Sequence, residues 1–249
     1  MMTTLIITGA SRGIGAATAR LAAENGYAVA INYNRNRAAA LSVVEDIRSN
    51  GGTAEAICAD ISTEQGVLQL FAETERLLPG QLAGLVNNAG ILETQMRLEE
   101  MDVARLQRIF TTNITGQFLC AREAVKRMST RQGGPGGSIV NVSSLAAKTG
   151  APNEYLDYAA SKAAVDALTI GLSKEVAAEG IRVNGVRPAF IYTDIHADGG
   201  EPGRVDRIKE SIPMKRGGTP QEVAEAIVWL LSDKASYTTG SFIDLAGGR

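Results

Sequence analysis

The 249-residue chain contains one histidine, two cysteines and no excess of either charge, with 25 basic against 27 acidic side chains. A single histidine leaves no His-based metal cluster, and a Ser-His-Asp hydrolase would have to depend on His196 alone. Cys58 and Cys120 stand apart in apolar surroundings. They are expected to be buried free thiols in a reducing compartment, with no disulfide framework and no metal site. A formal net charge of −2, with both signs interspersed, gives no nucleic-acid or membrane-surface footprint. No run is long enough to cross a bilayer, and the N-terminal stretch fits no signal peptide, so a cytoplasmic protein is expected.

What is present is a hydrophobic content of 45%, enough to bury a full core in an α/β chain of this length. Short β-branched runs alternate with helical periodicity along the whole chain. Leu5-Ile6-Ile7-Thr8 reads as a buried strand and runs into Gly9-Ala10-Ser11-Arg12-Gly13-Ile14-Gly15, after which a helix is expected over about 16–25. Strand, glycine turn and helix make a phosphate site, because backbone N–H groups and the positive helix end face the anion. The spacing Gly-x-x-x-Gly-x-Gly lacks the Gly-Lys-Ser/Thr of an ATP-binding loop and points to a dinucleotide. After a second strand, Tyr27 to Tyr33, come Asn32, Tyr33, Asn34, Arg35, Asn36 and Arg37, with no acid between Ala28 and Val44. An acid there would bind the 2′-hydroxyl of NAD, whereas a guanidinium matches the 2′-phosphate of NADP. Arg35, with Arg12 in the loop, therefore favours NADP, with NAD as the alternative.

Further strands are expected at 54–59, 82–86, 138–142, 181–186 and 241–245, giving one doubly wound, seven-stranded parallel sheet with helices on both faces over 1–249. Asp60 closes the third strand, as a turn cap, an adenine contact or both. Asn87-Asn88-Ala89-Gly90 ends the fourth, at the strand end where ligands bind in open parallel sheets. A long helical pattern over 98–128 is interrupted by Asn113, and residues 189–218 look irregular and rich in Gly and Pro, as a lid would be.

Tyr158 and Lys162 are four apart on a helical pattern and so share one face. An ammonium beside a tyrosine favours the phenolate and lowers a pKa that is otherwise about 10, readying the phenol to exchange a proton with a carbonyl oxygen or a hydroxyl. With six tyrosines in the chain, that pair alone is a weak signal. Ser143 and Ser144, at the end of the fifth strand, place a hydroxyl opposite the tyrosine.

Taken in order, Thr8-Gly9-x-x-x-Gly13-x-Gly15, Asp60, Asn87-Asn88-Ala89-Gly90, Asn113, Ser144, Tyr158-x-x-x-Lys162 and Pro188 with Thr193 resemble the short-chain dehydrogenase/reductase family over nearly the whole length. The resemblance implies a nicotinamide cofactor, hydride transfer and a homotetramer or homodimer. It implies Tyr158 as general acid and base, Lys162 lowering its pKa and holding the ribose, Ser144 on the substrate oxygen, and Asn113 holding a water that connects Lys162 to solvent. Gly9, Ser11, Arg12, Gly13, Ile14 and Gly15 would surround the pyrophosphate and adenosine end, joined by Asn32, Tyr33, Asn34 and Arg35. Asp60 and Ile61 would meet the adenine. Asn87, Ala89 and Gly90 would lie near the ribose, and Pro188, Ile191 and Thr193 near the carboxamide.

His196 has no counterpart and is expected to be a loop residue. Two departures stand out. Pro188 is followed by Ala189 instead of glycine. The interval from Ser144 to Tyr158 is one residue longer than expected, which leaves Ser143 as an alternative unless the loop at 148–154 absorbs the extra residue. The implied activity is NADP(H)-linked interconversion of a small ketone, aldehyde or sugar with its alcohol, in a partly apolar pocket near Leu92, Leu145, Tyr155, Phe190 and Ile191. A 3-oxoacyl-carrier-protein reductase is the alternative, and it would need a basic surface such as Arg122, Lys126, Arg127 and Arg131. A nucleotide-sensing regulator without catalysis would be expected to have lost the Tyr-Lys pair.

Overall fold

The computed structural model describes residues 3–249. Seven strands, β1 (Thr3–Ile7), β2 (Tyr27–Tyr33), β3 (Thr53–Cys58), β4 (Leu82–Asn87), β5 (Gly137–Val142), β6 (Ile181–Pro188) and β7 (Phe242–Leu245), form one parallel sheet in the order β3-β2-β1-β4-β5-β6-β7. The helices are α1 (Gly13–Glu24), α2 (Arg37–Ser49), α3 (Glu64–Leu77), α4 (Val103–Phe110), α5 (Gly116–Met128), α6 (Ala146–Thr149), α7 (Leu156–Val176), α8 (Ile195–Asp198), α9 (Arg204–Ile208) and α10 (Pro220–Leu231). None is long and apolar enough to cross a membrane.

The strands are apolar on both faces because both faces are covered. Side chains alternate across the pleat, so Leu5 and Ile7 of β1 join Val29, Val86 and Val140 against the buried sides of α1, α2 and α10. Ile6 points the other way, with Leu85 and Ile139, into a second cluster built on Val67, Leu70 and Phe71 of α3 and Cys120, Ala124 and Met128 of α5. Each helix is placed by local chemistry. Thr63 caps α3 through Gly66 N, Asn36 caps α2 through Ala39 N, and Thr219 and Glu222 form a reciprocal capping box around Pro220 at the start of α10.

The expected strands and sheet type are present; three local expectations change. The helical stretch of 98–128 starts at Val103, where Asp102 accepts a bond from Arg105 N (2.7 Å), and it is not broken at Asn113. A wide π-turn, Thr111–Thr115, carries Asn113 inward while the chain continues as helix. Residues 189–218 are not irregular throughout: they hold α8 and α9, and a bridge between Ile191 and Gly218 closes the base of the segment. Cys58 is exposed, whereas Cys120 is buried and burial pushes its thiol up to about 12.

Strand order decides where a site forms. The chain moves outward from β1 to β3 and returns to β4 on the other side of β1, so the loops after β1 and β4 part and leave a crevice at their carboxyl ends. Gly116, at the join of the π-turn and α5, seats this helix against the segment after β3. A Cβ there would sit 2.7 Å from Ile61 O, a backbone atom with little freedom to move. Gly116→Ala gains at most about 1 kcal/mol of helix propensity and loses about 1–3 kcal/mol by overpacking. Differential scanning calorimetry should show a net fall of a few degrees in the unfolding midpoint.

Candidate active site

The crevice opens on the turn after β1. Gly9 takes a left-handed conformation, with φ of +62°, and a Cβ on it would lie 3.0 Å from Ala89 Cα. Backbones this close need partners. The Thr8 hydroxyl accepts from Asn88 N and Ala89 N, both at 3.0 Å, and Asn88 Nδ2 donates to Thr8 O (2.8 Å) and Gly9 O (3.1 Å). Asn32 braces the turn from the other side. Its Oδ1 accepts from Gly9 N (3.2 Å) and its Nδ2 donates to Ala59 O (3.0 Å). Gly15 belongs to the same packing, since a Cβ there would sit 2.6 Å from Asn88 Nδ2. Arg12 at the start of α1 makes no side-chain cap, and the first turn carries no acid. The first N–H groups of α1 and the positive end of its dipole are thus left for an anion.

Beyond β2, Asn34 and Arg35 are exposed, and Arg35 has no carboxylate partner among the described residues. The Asp60 carboxylate accepts from Ser62 N (2.9 Å), a turn that settles its local role and leaves it on the wall of the crevice. Arg12 turns toward the segment after β6, pairing with Asp198 and lying 3.9 Å from Asp194.

The candidate reactive groups converge from two elements. Tyr158 and Lys162 come from α7, and Ser144 from the end of β5. Lys162 is buried and its ammonium donates to Val142 O (2.7 Å), standing 5.6 Å from the centre of the Tyr158 ring. Ser143 is buried and donates to Lys162 O (3.1 Å), so its hydroxyl is committed behind the site. Ser143 and Ser144 both line the cleft, but it is the Ser144 hydroxyl that bears on the Tyr158 phenol. The loop after α6 holds two left-handed residues, Ala151 and Asn153, at φ of 43° and 61°. Ala189 needs no such conformation, so the change from glycine is accommodated without strain.

Burial governs the charges. It pushes the Tyr158 phenol up to about 12, against a downward pull from the Ser144 hydroxyl. It pushes Lys162 down to about 8, against an upward pull from Asp166. Desolvation is thus the largest influence on both groups.

These groups line one continuous cleft of about 1340 Å³. It brings together Gly9, Ser11, Arg12, Gly13, Ile14, Asn32, Asn34, Arg35, Asp60, Ile61, Ala89, Gly90, Ser144, Tyr158, Lys162, Pro188, Ile191 and Thr193. Four expected site residues lie outside its lining. Gly15 packs behind the glycine turn. Tyr33 is in the hydrophobic core, since the strand's alternation points it away from the crevice. Asn87 is fully buried and donates to Asn141 Oδ1 (3.0 Å) and Gln117 O (3.2 Å). Asn113 bonds both backbone groups of Ile91, Oδ1 from its N–H at 2.8 Å and Nδ2 to its carbonyl at 2.9 Å. It nonetheless remains close to Lys162: a Cβ on Gly90 would be 3.4 Å from both Asn113 Oδ1 and Lys162 Nζ.

The structure also adds residues that spacing did not reveal. Asn88 and Thr8 clamp the turn, and the Asn pair at the end of β4 was the only signal for this. The substrate half of the cleft holds Tyr155, Phe190 and Leu92 as expected, but also Arg204 and His196. Arg204 is buried between Glu154 and Glu201 and lies 5.0 Å from the Tyr155 ring centre. His196 is in α8, not in a loop, and is buried. Its Nε2 meets Ile191 O at 3.0 Å, and desolvation lowers its pKa.

Because the Ser144 hydroxyl favours the phenolate, Ser144→Ala should raise the Tyr158 pKa further. Ultraviolet difference titration of Ser144→Ala, with and without the additional change Tyr158→Phe, should place the Tyr158 transition at higher pH than in the unmodified chain.

A family model described as Enoyl-(Acyl carrier protein) reductase matches residues 9–249. The uncharacterized oxidoreductase YgfF of Escherichia coli (strain K12) is 60% identical over the full length of both chains. Glucose 1-dehydrogenase 2 of Bacillus subtilis (strain 168) is 35% identical, with 98% of this chain and 93% of that protein covered. A crystal structure of the 3-ketoacyl-(acyl-carrier-protein) reductase from Brucella melitensis complexed with NADH superposes with a TM-score of 0.89 at 32% identity, covering 99% of this chain and 98% of that one. Similarity that runs from end to end of the chain leaves one conclusion: it belongs to the short-chain dehydrogenase/reductase family of oxidoreductases.

Proposed function

We propose that the protein is an NADP(H)-dependent reductase of a small ketone, aldehyde or sugar carbonyl, with Tyr158 as the proton donor. The observation that carries this reading is the single cleft that reaches from Arg35 at one end to Ser144, Tyr158 and Lys162 at the other. Its volume of about 1340 Å³ exceeds the 300–1,000 Å³ of an ordinary small-ligand pocket and suits a dinucleotide together with a second molecule. The glycine turn and the uncapped start of α1 fit a pyrophosphate, and the unpaired Arg35 fits a 2′-phosphate. When bound, the nicotinamide supplies or accepts the hydride.

The chain's own residues do the rest. Tyr158 gives its phenolic proton to the carbonyl oxygen as that oxygen gains charge, and Ser144 donates a hydrogen bond to the same oxygen. Lys162, protonated below about 8, stabilises the phenolate left behind and leads toward Asn113 on the inner side of Gly90.

Carrier-protein reductases appear among the similar proteins, but a docking patch on α5 and the turn after it has little support. Arg122 is paired with Glu64, Arg127 with Glu75, Arg131 with Glu179, and Lys126 with Glu123. A sensor without catalysis gains no support either, because Ser144, Tyr158 and Lys162 converge on one cleft.

The test is cofactor binding followed by turnover. NADPH should bind more tightly than NADH, and Arg35→Asp should weaken NADPH about tenfold or more while sparing NADH. Equal or tighter NADH binding by the unmodified protein would overturn the NADP assignment. In steady-state assays Tyr158→Phe should reduce carbonyl reduction by about 10²–10⁴-fold. The rate of the unmodified enzyme should fall as pH rises through about 8, where Lys162 loses its proton.

A further inference from the structure

We infer that Asp157 and Arg105 form a positioning pair that sets the catalytic turn of α7 against the wall of the substrate cleft. The inference rests on the reaction proposed above and concerns residues that line no part of the cleft. Asp157 precedes Tyr158 and its side chain is fully buried; Arg105, on α4, is buried as well. The guanidinium fork holds the carboxylate through Nε at 2.7 Å and a second nitrogen at 3.4 Å. The same carboxylate accepts from Tyr158 N at 2.8 Å. Arg105 then uses its remaining nitrogen to donate to Thr94 O at 2.7 Å.

One cation thus fixes two things relative to each other: the first turn of α7, which carries the phenol, and the loop 91–97, which carries Leu92 on the cleft wall. That loop in turn touches the segment after β6, where Gln95 donates to Glu201 at 2.7 Å, and the turn before α7, where Met96 N donates to Glu154 O at 3.0 Å.

A second tie comes from the same helical stretch. Asn113, in the π-turn, donates to Ser161 Oγ at 3.1 Å, and Ser161 donates to Tyr158 O at 2.7 Å. The backbone of Tyr158 is therefore held at its N–H through Asp157 and Arg105, and at its carbonyl through Ser161 and Asn113. Neither tie touches the phenol, so the ring stays free to meet substrate while its origin is immobile. Two buried charges are a costly way to hold a helix if stability is the only gain, because an apolar pair of similar volume packs as well. Their use here is geometric: a displacement of about 1 Å at a reacting group can cost on the order of 100-fold in rate.

The experiment compares Asp157→Asn, Asp157→Ala and Arg105→Lys with the unmodified protein. Asp157→Asn keeps an oxygen to accept from Tyr158 N and loses the charge. Arg105→Lys keeps the charge and loses the fork. NADPH binding is read by cofactor fluorescence, and kcat and KM are read on ethyl acetoacetate. Hydrogen exchange is followed over 156–162 and 91–97 in the NADPH complex.

The expected result is a kcat lowered about tenfold in Asp157→Asn and Arg105→Lys, and more in Asp157→Ala, with KM and the NADPH Kd within about twofold. Exchange should quicken in 156–162 and 91–97 together while β4 and β5 keep their protection. An unchanged kcat, a loss that follows NADPH binding, or exchange that quickens evenly across the sheet would each overturn the inference. An unmodified protein that binds NADPH but does not reduce the keto group of ethyl acetoacetate would count against the reaction with that substrate class. The exchange pattern then decides the inference by itself, coupled loosening of the two segments supporting it and its absence overturning it.

Discussion

The site depends on one backbone approach, that of Gly9 to Ala89 at the point where the sheet changes direction. Two strand ends that diverge to opposite sides would ordinarily leave their last N–H and C=O groups to water. Here Thr8 and Asn88 exchange them. The exchange holds the glycine turn open toward the crevice, fixes the start of α1 and leaves the cleft face of both loops free of side-chain bulk. Everything a phosphate-bearing ligand would meet follows from it, including the free first turn of α1.

The same economy runs through the interior. Asn87, Asn141 and Thr169 form a buried chain from β4 to β5 to α7, and Asn113 and Ser161 form another from the π-turn to α7. Apart from Asn87 Oδ1, which has no partner among the described residues, these amides are bonded, and they cross-link elements that hydrophobic packing alone would leave free to slide. Lys162 is the expensive member: its ammonium reaches Val142 O but remains desolvated, which is why its proton is held less firmly than an exposed lysine's.

The fold was legible because each strand announces itself by an apolar β-branched run and a polar or glycine-rich end, and parallel order follows from the alternation with helices. The reactive end of the site was legible for a related reason: Tyr158 and Lys162 are local partners on one helix, and Ser144 lies at a strand end.

What was not legible depends on contacts far apart in sequence. Whether Asn87 or Asn88 faces the cleft is decided by the pleat, and Tyr33 is turned into the core by the same alternation. The π-turn at Asn113 looks in one dimension like a polar interruption, because widening a helix leaves the apolar period almost intact. Burial of Cys58 was expected from its apolar neighbours, yet it ends an outer strand and is exposed. Arg105 and Asp157, 52 positions apart, carry no spacing signal at all.

Arg12 joins the glycine turn to Asp194 and Asp198 across water-exposed ground. A bond of that kind holds with an energy comparable to thermal agitation, and it is weakened by dissolved ions. That contact is weak beside the Arg204 pairs with Glu154 and Glu201 that hold the same segment elsewhere. A polyanion on the glycine turn would meet a guanidinium already shared with two aspartates, so dissolved ions would compete there as well as at the ligand's own charge.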